Sequence, residues 1–261
     1  MKKTKASSSM KTLERALTIL QCFSFDRPSL TATEIASLSS IPKSTVHRFL
    51  RVFVDYGFIE EGRSPGTFIP GLRLFELGNI VRQSLDVRHC AEPFMQRIAN
   101  ELRITVHLVI RDGNEGIYIE KVEPEGQHIH YSHVGKRIPL YCTAAGKVLL
   151  SELPNIFIEE MYSFPLFPYT AKSITTKKVL FEELRRVRDC GWAQDNQELE
   201  KGLCCVGLPI RNDRGHIIAA LSSSALAVSF TSSRTEELIQ ALQRASLEVS
   251  RRLGFTGADS L

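Results

Sequence analysis

No stretch of the 261 residues approaches the run of about 18 apolar residues that a membrane-spanning helix needs, and the opening Met1 to Lys11 has none of the apolar character of a secretory leader. Both absences predict a cytoplasmic protein without a membrane partner. No CxxC spacing occurs among the six cysteines, Cys22, Cys90, Cys142, Cys190, Cys204 and Cys205, which lie in apolar contexts and read as reduced core thiols. Internal repeats and low-complexity tracts are lacking as well, which argues against a solenoid. With 43% hydrophobic and 24% charged residues the composition is that of ordinary globular protein. The length exceeds a usual single domain of roughly 100–200 residues, so two unequal domains are predicted.

The net charge of +4 is unevenly placed. Residues 1–75 hold 11 Lys and Arg against 6 Asp and Glu, whereas the remainder holds 22 against 23. A small basic part joined to a near-neutral larger one suits a polyanion-binding module with a separate partner domain.

Apolar periodicity gives the N-terminal part its shape. Leu13, Ala16, Leu17 and Leu20 recur at helical spacing and predict a first helix ending before Asp26-Arg27-Pro28. Thr31 or Thr33 can cap a short second helix running through Ser39, with Ile35 and Leu38 as its core face. Pro42 suits the first turn of a third helix, in which Val46, Phe49, Leu50 and Phe53 form the apolar stripe and Gly57 follows the end. Two alternating stretches, Phe58 to Glu60 and Thr67 to Ile69, flank Arg63-Ser64-Pro65-Gly66 and read as a hairpin with a basic tip. Three helices and a hairpin make a winged helix-turn-helix. If the third helix buries its stripe, Lys43, Ser44, Thr45, Arg48 and Arg51 face outward with His47 at the edge, and Arg63 marks the wing. Such donor-rich first turns suit base edges and phosphates in the major groove of double-stranded DNA. The bland alternative is a winged helix that binds another protein.

Between Leu72 and Leu102 the pattern is helical again, in two stretches with a break expected before Pro93. Leu74, Leu77, Ile80, Val81 and Leu85 form a stripe that is either a linker helix packed on a second subunit or the roof of the next domain. From Thr105 the period becomes two. Val106 to Ile110 and Ile117 to Val122 read as a hairpin, His128 to Ser132 as a further strand, and Cys204 to Ile210 with His216 to Ser223 as two late strands. Helices fit Ala145 to Ser151, Lys177 to Cys190 and Ser233 to Leu253. Strands and helices mixed without a strict βαβ repeat indicate an α+β domain on an antiparallel sheet.

The segment Cys142-Thr143-Ala144-Ala145-Gly146-Lys147 leads from a strand-like stretch into a short helix, where free N–H groups and the helix dipole favour a carboxylate. Ser222 and Ser224 are two apart and share a strand face. His128 and His130 also share a face, but nothing supplies a plainly placed further metal ligand, and adjacent Cys204 and Cys205 point to opposite sides of a strand. No metal or cofactor is therefore expected. A rival from another class is an enzyme with Cys205 as nucleophile and His107 or His216 as base.

Thr12-Leu13-Glu14-Arg15-Ala16-Leu17-Thr18-Ile19-Leu20 and Pro42-Lys43-Ser44-Thr45-Val46-His47-Arg48 closely resemble the IclR family of bacterial regulators. The resemblance continues through Gly71 to Gly78, Thr105-Val106-His107-Leu108, Cys142 to Lys147 and Glu200-Lys201-Gly202-Leu203-Cys204-Cys205, spanning nearly the whole chain in order. It implies a winged helix-turn-helix, a dimerising linker helix and an effector domain resembling a GAF fold. It also implies a homodimer or dimer of dimers on a palindromic operator, with promoter occupancy or RNA polymerase recruitment changed by a small organic or aromatic acid. The positions matching the family's pocket are Thr143, Ala144, Ala145, Asp195, Cys205, Ser222 and Ser224, with Gly146 in the same turn; Ala225 stands where many relatives have glycine. The implied organisation is a flexible arm over 1–10, a winged helix-turn-helix over 11–73 with its motif at 32–51, a linker helix over 74–90 and an effector domain over 91–257. Within this reading the alternative is a regulator whose second domain only oligomerises and binds no effector.

Replacing Lys43 or Arg48 by Ala is expected to weaken operator binding. Each lost phosphate contact lowers the slope of log K against log salt by about 0.9, whereas loss of a base contact relaxes specificity with little change of slope. Salt-dependent binding isotherms distinguish the two, and unchanged binding by both folded variants would refute the assignment.

Overall fold

The computed structural model describes residues 8–126 and 132–257, and within them the chain divides into two compact units, one up to Ser84 and one from Leu85.

In the first unit, α1 (Ser8–Leu20) precedes the two-residue β1 (Leu30–Thr31), α2 (Ala32–Ser39), α3 (Lys43–Asp55), β2 (Ile59–Glu61), β3 (Thr67–Pro70) and α4 (Leu72–Gln83). Since α1 starts at Ser8, the arm expected over 1–10 overlaps the helix; residues 1–7 lie outside the described ones. Thr31 rather than Thr33 caps α2. Its hydroxyl accepts the Glu34 N–H at 3.3 Å while the Glu34 carboxylate accepts the Thr31 N–H at 2.7 Å, a reciprocal box that satisfies two otherwise orphaned donors. Ala32 and Ile35 are buried, but Leu38, expected on the core face, is 46% exposed. Ser40 closes α2 in the left-handed region, and Pro42 stands at the N-cap of α3, one position ahead of the expected first turn. Val46 and Leu50 are buried with Ile19, Ile41 and Ile59, and Phe49 and Phe53 pack on the same cluster. β1, β3 and β2 form an antiparallel three-stranded sheet with β3 in the middle, the expected wing widened by one short strand.

The stripe expected to run through Leu85 is interrupted. α4 ends at Gln83, with the Ser84 N–H on the Ile80 and Val81 carbonyls, and Leu85 becomes the N-cap of α5 (Asp86–Leu102) and packs on the core of the second unit. The helix break thus lies at Ser84 and Leu85, and the linker helix expected over 74–90 is two helices. Pro93 sits inside α5 without breaking it: only one backbone donor is lost, and burial of Ala91, Phe94, Met95 and Ile98 holds the helix in place.

After α5 come β4 (Thr105–Asp112), β5 (Glu115–Val122), β6 (Arg137–Pro139), α6 (Ala144–Ser151), α7 (Asn155–Met161), α8 (Lys177–Cys190), β7 (Ala193–Asn196), β8 (Leu203–Arg211), β9 (Ile217–Leu226) and α9 (Ser232–Arg252). The sheet is antiparallel throughout in the order β6-β5-β4-β9-β8-β7. Alternation divides its side chains between two cores. Leu108, Val206 and Leu221 meet Met95, Leu238 and Leu242 of α5 and α9 on one face, while Val109, Ala193 and Ala220 meet Leu150, Leu180 and Leu184 of α6 and α8 on the other. The sequence reading lacks β6, α7 and β7, which are too short or too polar to show a period. The strand expected over His128 to Ser132, and with it the His128 and His130 pair, falls almost wholly outside the described residues.

α6 lies unusually close to the sheet. A Cβ on Gly207 of β8 would come within 2.8 Å of the Ala144 carbonyl carbon and 2.9 Å of the Ala145 nitrogen. Gly207→Ala is therefore expected to lower the stability of this unit by about 1–3 kcal/mol, the usual cost of overpacking against backbone. Urea denaturation followed by fluorescence reads this as a lower midpoint; an unchanged midpoint would show that α6 can lift freely.

Candidate nucleic-acid interface and ligand cavity

On α3 the outward face is as its periodicity requires. Lys43, Ser44, His47, Arg48 and Arg51 are exposed and Thr45 is half-buried, while Arg63 is exposed at the tip between β2 and β3. Four cations and an imidazole thus stand on one helix and its wing, with the first turn of α3 carrying side-chain donors and two free backbone N–H groups.

The second unit contains a cavity of about 40 Å³ under the N-terminus of α6. Sheet register builds its floor. Asp195 pairs with Cys205 and Cys205 with Ser224, giving one row across β7, β8 and β9. The next row on the same face is Gly207, Ser222 and His107. Because Gly207 has no side chain, Ala144 and Ala145 settle directly above it, and their amides, which have no carbonyl partner within the helix, meet the cavity. All the expected pocket residues line this space except Gly146. Gly146 instead gives its N–H to the Thr143 hydroxyl at 3.1 Å, and a Cβ there would reach within 2.3 Å of Leu140 backbone. The Thr143 hydroxyl is committed twice, since it also donates to the Pro139 carbonyl at 2.7 Å. Its part is therefore to cap α6.

The chemistry of the lining is mostly neutral. His107 is buried with Nε2 at 2.8 Å from the Ser132 hydroxyl, Nδ1 at 3.5 Å from the Ser224 hydroxyl, and its ring 4.7 Å from that of Tyr118. Burial, and then the Lys121 charge, push its pKa down to about 3, so the imidazole is uncharged at neutral pH. Burial pushes the Cys205 thiol well up, with the Asp195 charge adding to it and the Ser224 hydroxyl opposing it. Burial likewise raises the Asp195 carboxyl to about 7, against the stabilising Glu198 N–H on its Oδ1 at 2.7 Å.

Behind Asp195 lies a group that sequence reasoning missed. Lys147 is 1% exposed, yet its ammonium meets Glu198 at 2.7 Å and Glu183 at 3.0 Å, and Glu183 is itself held by Arg186 at 2.9 Å. The signal was a lone lysine inside the apolar octapeptide of α6; no local feature marked Glu198. Tyr118, Lys136, Ile138, Leu199, Glu200 and Leu203 also line the cavity without having been anticipated, since they arrive from β5, from β6 and its approach, and from the start of β8 and the loop before it. His216 is remote from it, exposed and paired with Glu152 at 2.9 Å. Among the described residues no cluster of three or more His, Cys, Asp or Glu could hold a metal ion, and no helix is long and apolar enough to cross a membrane.

Residues 12–63 match the IclR helix-turn-helix domain, and residues 80–251 match the C-terminal domain of the bacterial transcriptional regulator IclR. The chain is 34% identical over 249 residues to the HTH-type transcriptional regulator XynR of Escherichia coli, covering 94% of this chain and 98% of that one. It is 33% identical over 247 residues to the HTH-type transcriptional regulator KipR of Bacillus subtilis, again covering 94% and 98%. The crystal structure of Thermotoga maritima IclR, 33% identical, superposes with a TM-score of 0.75 over 94% of this chain and 100% of that one. An IclR homolog from Microbacterium hydrocarbonoxydans complexed with 4-hydroxybenzoate, 27% identical, superposes with a TM-score of 0.82 over 93% of this chain and 98% of that one. A basic winged helix-turn-helix followed by an α+β domain with a walled cavity, matched along both units, makes this chain a member of the IclR family of DNA-binding transcription regulators.

Proposed function

We propose that the protein binds a palindromic operator through Lys43, Ser44, Thr45, His47, Arg48 and Arg51 of α3 and Arg63 of the wing, and that a small organic or aromatic acid in the cavity controls its action at the promoter in the cytoplasm. The observation that carries the sensing half is the cross-strand register that sets Asp195, Cys205 and Ser224 in one row, and Ser222 and His107 in the next, beneath the Ala144 and Ala145 amides. Helix amides and hydroxyls can hold an oxyanion without placing a full cation in the core. A liganded relative, the 4-hydroxybenzoate complex, supports the same class of effector.

Ligand binding in the cavity supplies the switch. A ligand that binds one arrangement of the walls and not the other shifts the population between them. Turnover is disfavoured, because Cys205 is held as the thiol and not as the nucleophilic thiolate. RNA polymerase is a further partner in this reading.

The functional unit is a dimer or dimer of dimers. α4 buries none of its residues, and Leu72, Phe75, Ile80 and Val81 are each more than half exposed, with Leu77 also exposed and Leu74 partly so. That apolar stripe calls for a second subunit. Leu85, packed into its own core, does not belong to it.

Replacing Leu77 and Val81 together by Glu is expected to yield monomers and abolish cooperative operator binding; an intact dimer in sedimentation would refute the α4 interface. For the cavity, 4-hydroxybenzoate and related acids are titrated by calorimetry. Losing one charge-assisted hydrogen bond, typically ~1.5–3 kcal/mol, weakens binding by about ten- to a hundredfold in Ser222→Ala and Ser224→Ala, with ligand-free DNA binding retained. Ala145→Asp is expected to cost more, since it places a negative charge at the acid group. Undiminished affinity in all of these variants, or a thermal shift from no acid in a broad screen, would favour a second domain that only oligomerises.

A further inference from the structure

The charges around the cavity do not balance in a way that leaves room for an anion. Glu183 is held by the Arg186 guanidinium through two nitrogens, and the Lys147 ammonium bonds Glu198. Those two pairs are neutral, which leaves Asp195 as an uncompensated carboxyl, 3% exposed, in a wall of the cavity. Backbone N–H groups of Glu198, on Oδ1, and of Leu199 are what its carboxyl has for support. Glu198 Oε2, buried behind it, also has no hydrogen-bond partner. A ligand carboxylate placed at the α6 amides therefore meets a carboxyl that has no cation of its own.

We propose that a carboxylate ligand enters this cavity together with one proton taken from solvent, which settles on Asp195 and makes its carboxyl the O–H donor that holds the ligand's oxyanion. The proposal rests on the reading of the cavity as a carboxylate site. The balance is simple: a ligand carboxylate, one proton and an ionised Asp195 become a ligand carboxylate hydrogen-bonded to a neutral Asp195, and the net charge of the buried set is the same before and after. Two like charges in one small buried cavity raise each other's proton affinity, and taking up a proton removes the conflict.

The groups that face Asp195 leave it as the titrating one. From β8 comes Cys205, with Cys204 on the other side of the strand, and from the strand-like stretch before α6 comes Cys142, all thiols that burial pushes up. From α6 comes Lys147 and from the following loop Glu198, paired with each other. Across the cavity stand His107 of β4, neutral because its pKa lies at about 3, and Tyr118 of β5, with Lys136 and Glu200 contributing one charge of each sign. The Asp195 carboxyl, raised to about 7, is ionised in the empty cavity above that pH and protonated below it. Binding that requires the protonated form is thus insensitive to pH below about 7 and weakens tenfold per pH unit above it.

The test titrates acetate and 4-hydroxybenzoate into the full-length protein by calorimetry between pH 6 and pH 8.5, in two buffers of different ionisation enthalpy. Expected for the wild type are an affinity about thirtyfold weaker at pH 8.5 than at pH 6, and uptake of about 0.9 proton per ligand at pH 8 against about 0.1 at pH 6. Asp195→Asn, which keeps a donor and cannot ionise, is expected to bind with one affinity across the range and no proton uptake, and to exceed the wild type at pH 8.5. Proton uptake in the wild type stands as a readout even if the variant fails to fold. Binding with equal affinity at pH 6 and pH 8.5 and no proton uptake would overturn the proposal while leaving the carboxylate site in place. Failure of both probes to bind the wild type at any pH, or binding unaffected by Ala145→Asp, would overturn the reading of the cavity itself and the proposal with it.

Discussion

The seating of α6 on Gly207 is the contact from which the sensing unit takes its form. Two backbones approach there at distances that leave no room for a methyl group, so the helix N-terminus reaches the plane of the sheet. Thr143 caps the helix and ties it back to Pro139, and Gly146 lets the same turn lie against Leu140. The amides of Ala144 and Ala145 are thereby aimed at the rows that β7, β8, β9 and β4 supply. A side chain at either glycine would lift the helix and separate the amides from the hydroxyls, and the cavity would lose one of its two walls.

Burying Lys147 in the same helix is costly by itself, since desolvating an ammonium costs several kcal/mol even in a real protein interior. The cost is offset by Glu198 and Glu183, which come from a loop and from α8. A pair of this kind adds little net stability, but it ties three separate elements to one atom. It also fixes which buried carboxyl is compensated and which is not, and so hands the unpaired position to Asp195. Structure and chemistry are joined at this point: the residue that holds α6 in place also sets the charge state of the cavity it covers.

The two units differ in how their function is exposed. DNA contact needs a convex, charged face, and α3 presents one whose side chains are solvated. Sensing needs a concave site, and the second unit makes one largely from neutral polar groups, with Asp195 as its unpaired carboxyl.

What the sequence determined by itself was whatever periodicity and caps encode locally. The stripe Val46, Phe49, Leu50 and Phe53 oriented α3 and hence named its outward cations; a threonine cap at 31 or 33 announced α2; Ser222 and Ser224, two apart, announced a shared face. The antiparallel α+β character of the second unit followed from the change of period at Thr105. Resemblance to known regulators supplied Asp195 and Cys205, which no local pattern marks. Only the tertiary structure decided the rest. Register across β7, β8 and β9 aligned Asp195, Cys205 and Ser224 from segments far apart in the chain. Packing left Leu38 in solvent, ended α4 at Gln83 and carried α5 through Pro93, while the hydrogen bonds to Glu34 selected Thr31 over Thr33. The partners of Lys147 are 36 and 51 residues away, at Glu183 and Glu198. Local sequence encodes which conformations are cheap, whereas the environment of a buried charge is set by whatever the fold brings beside it.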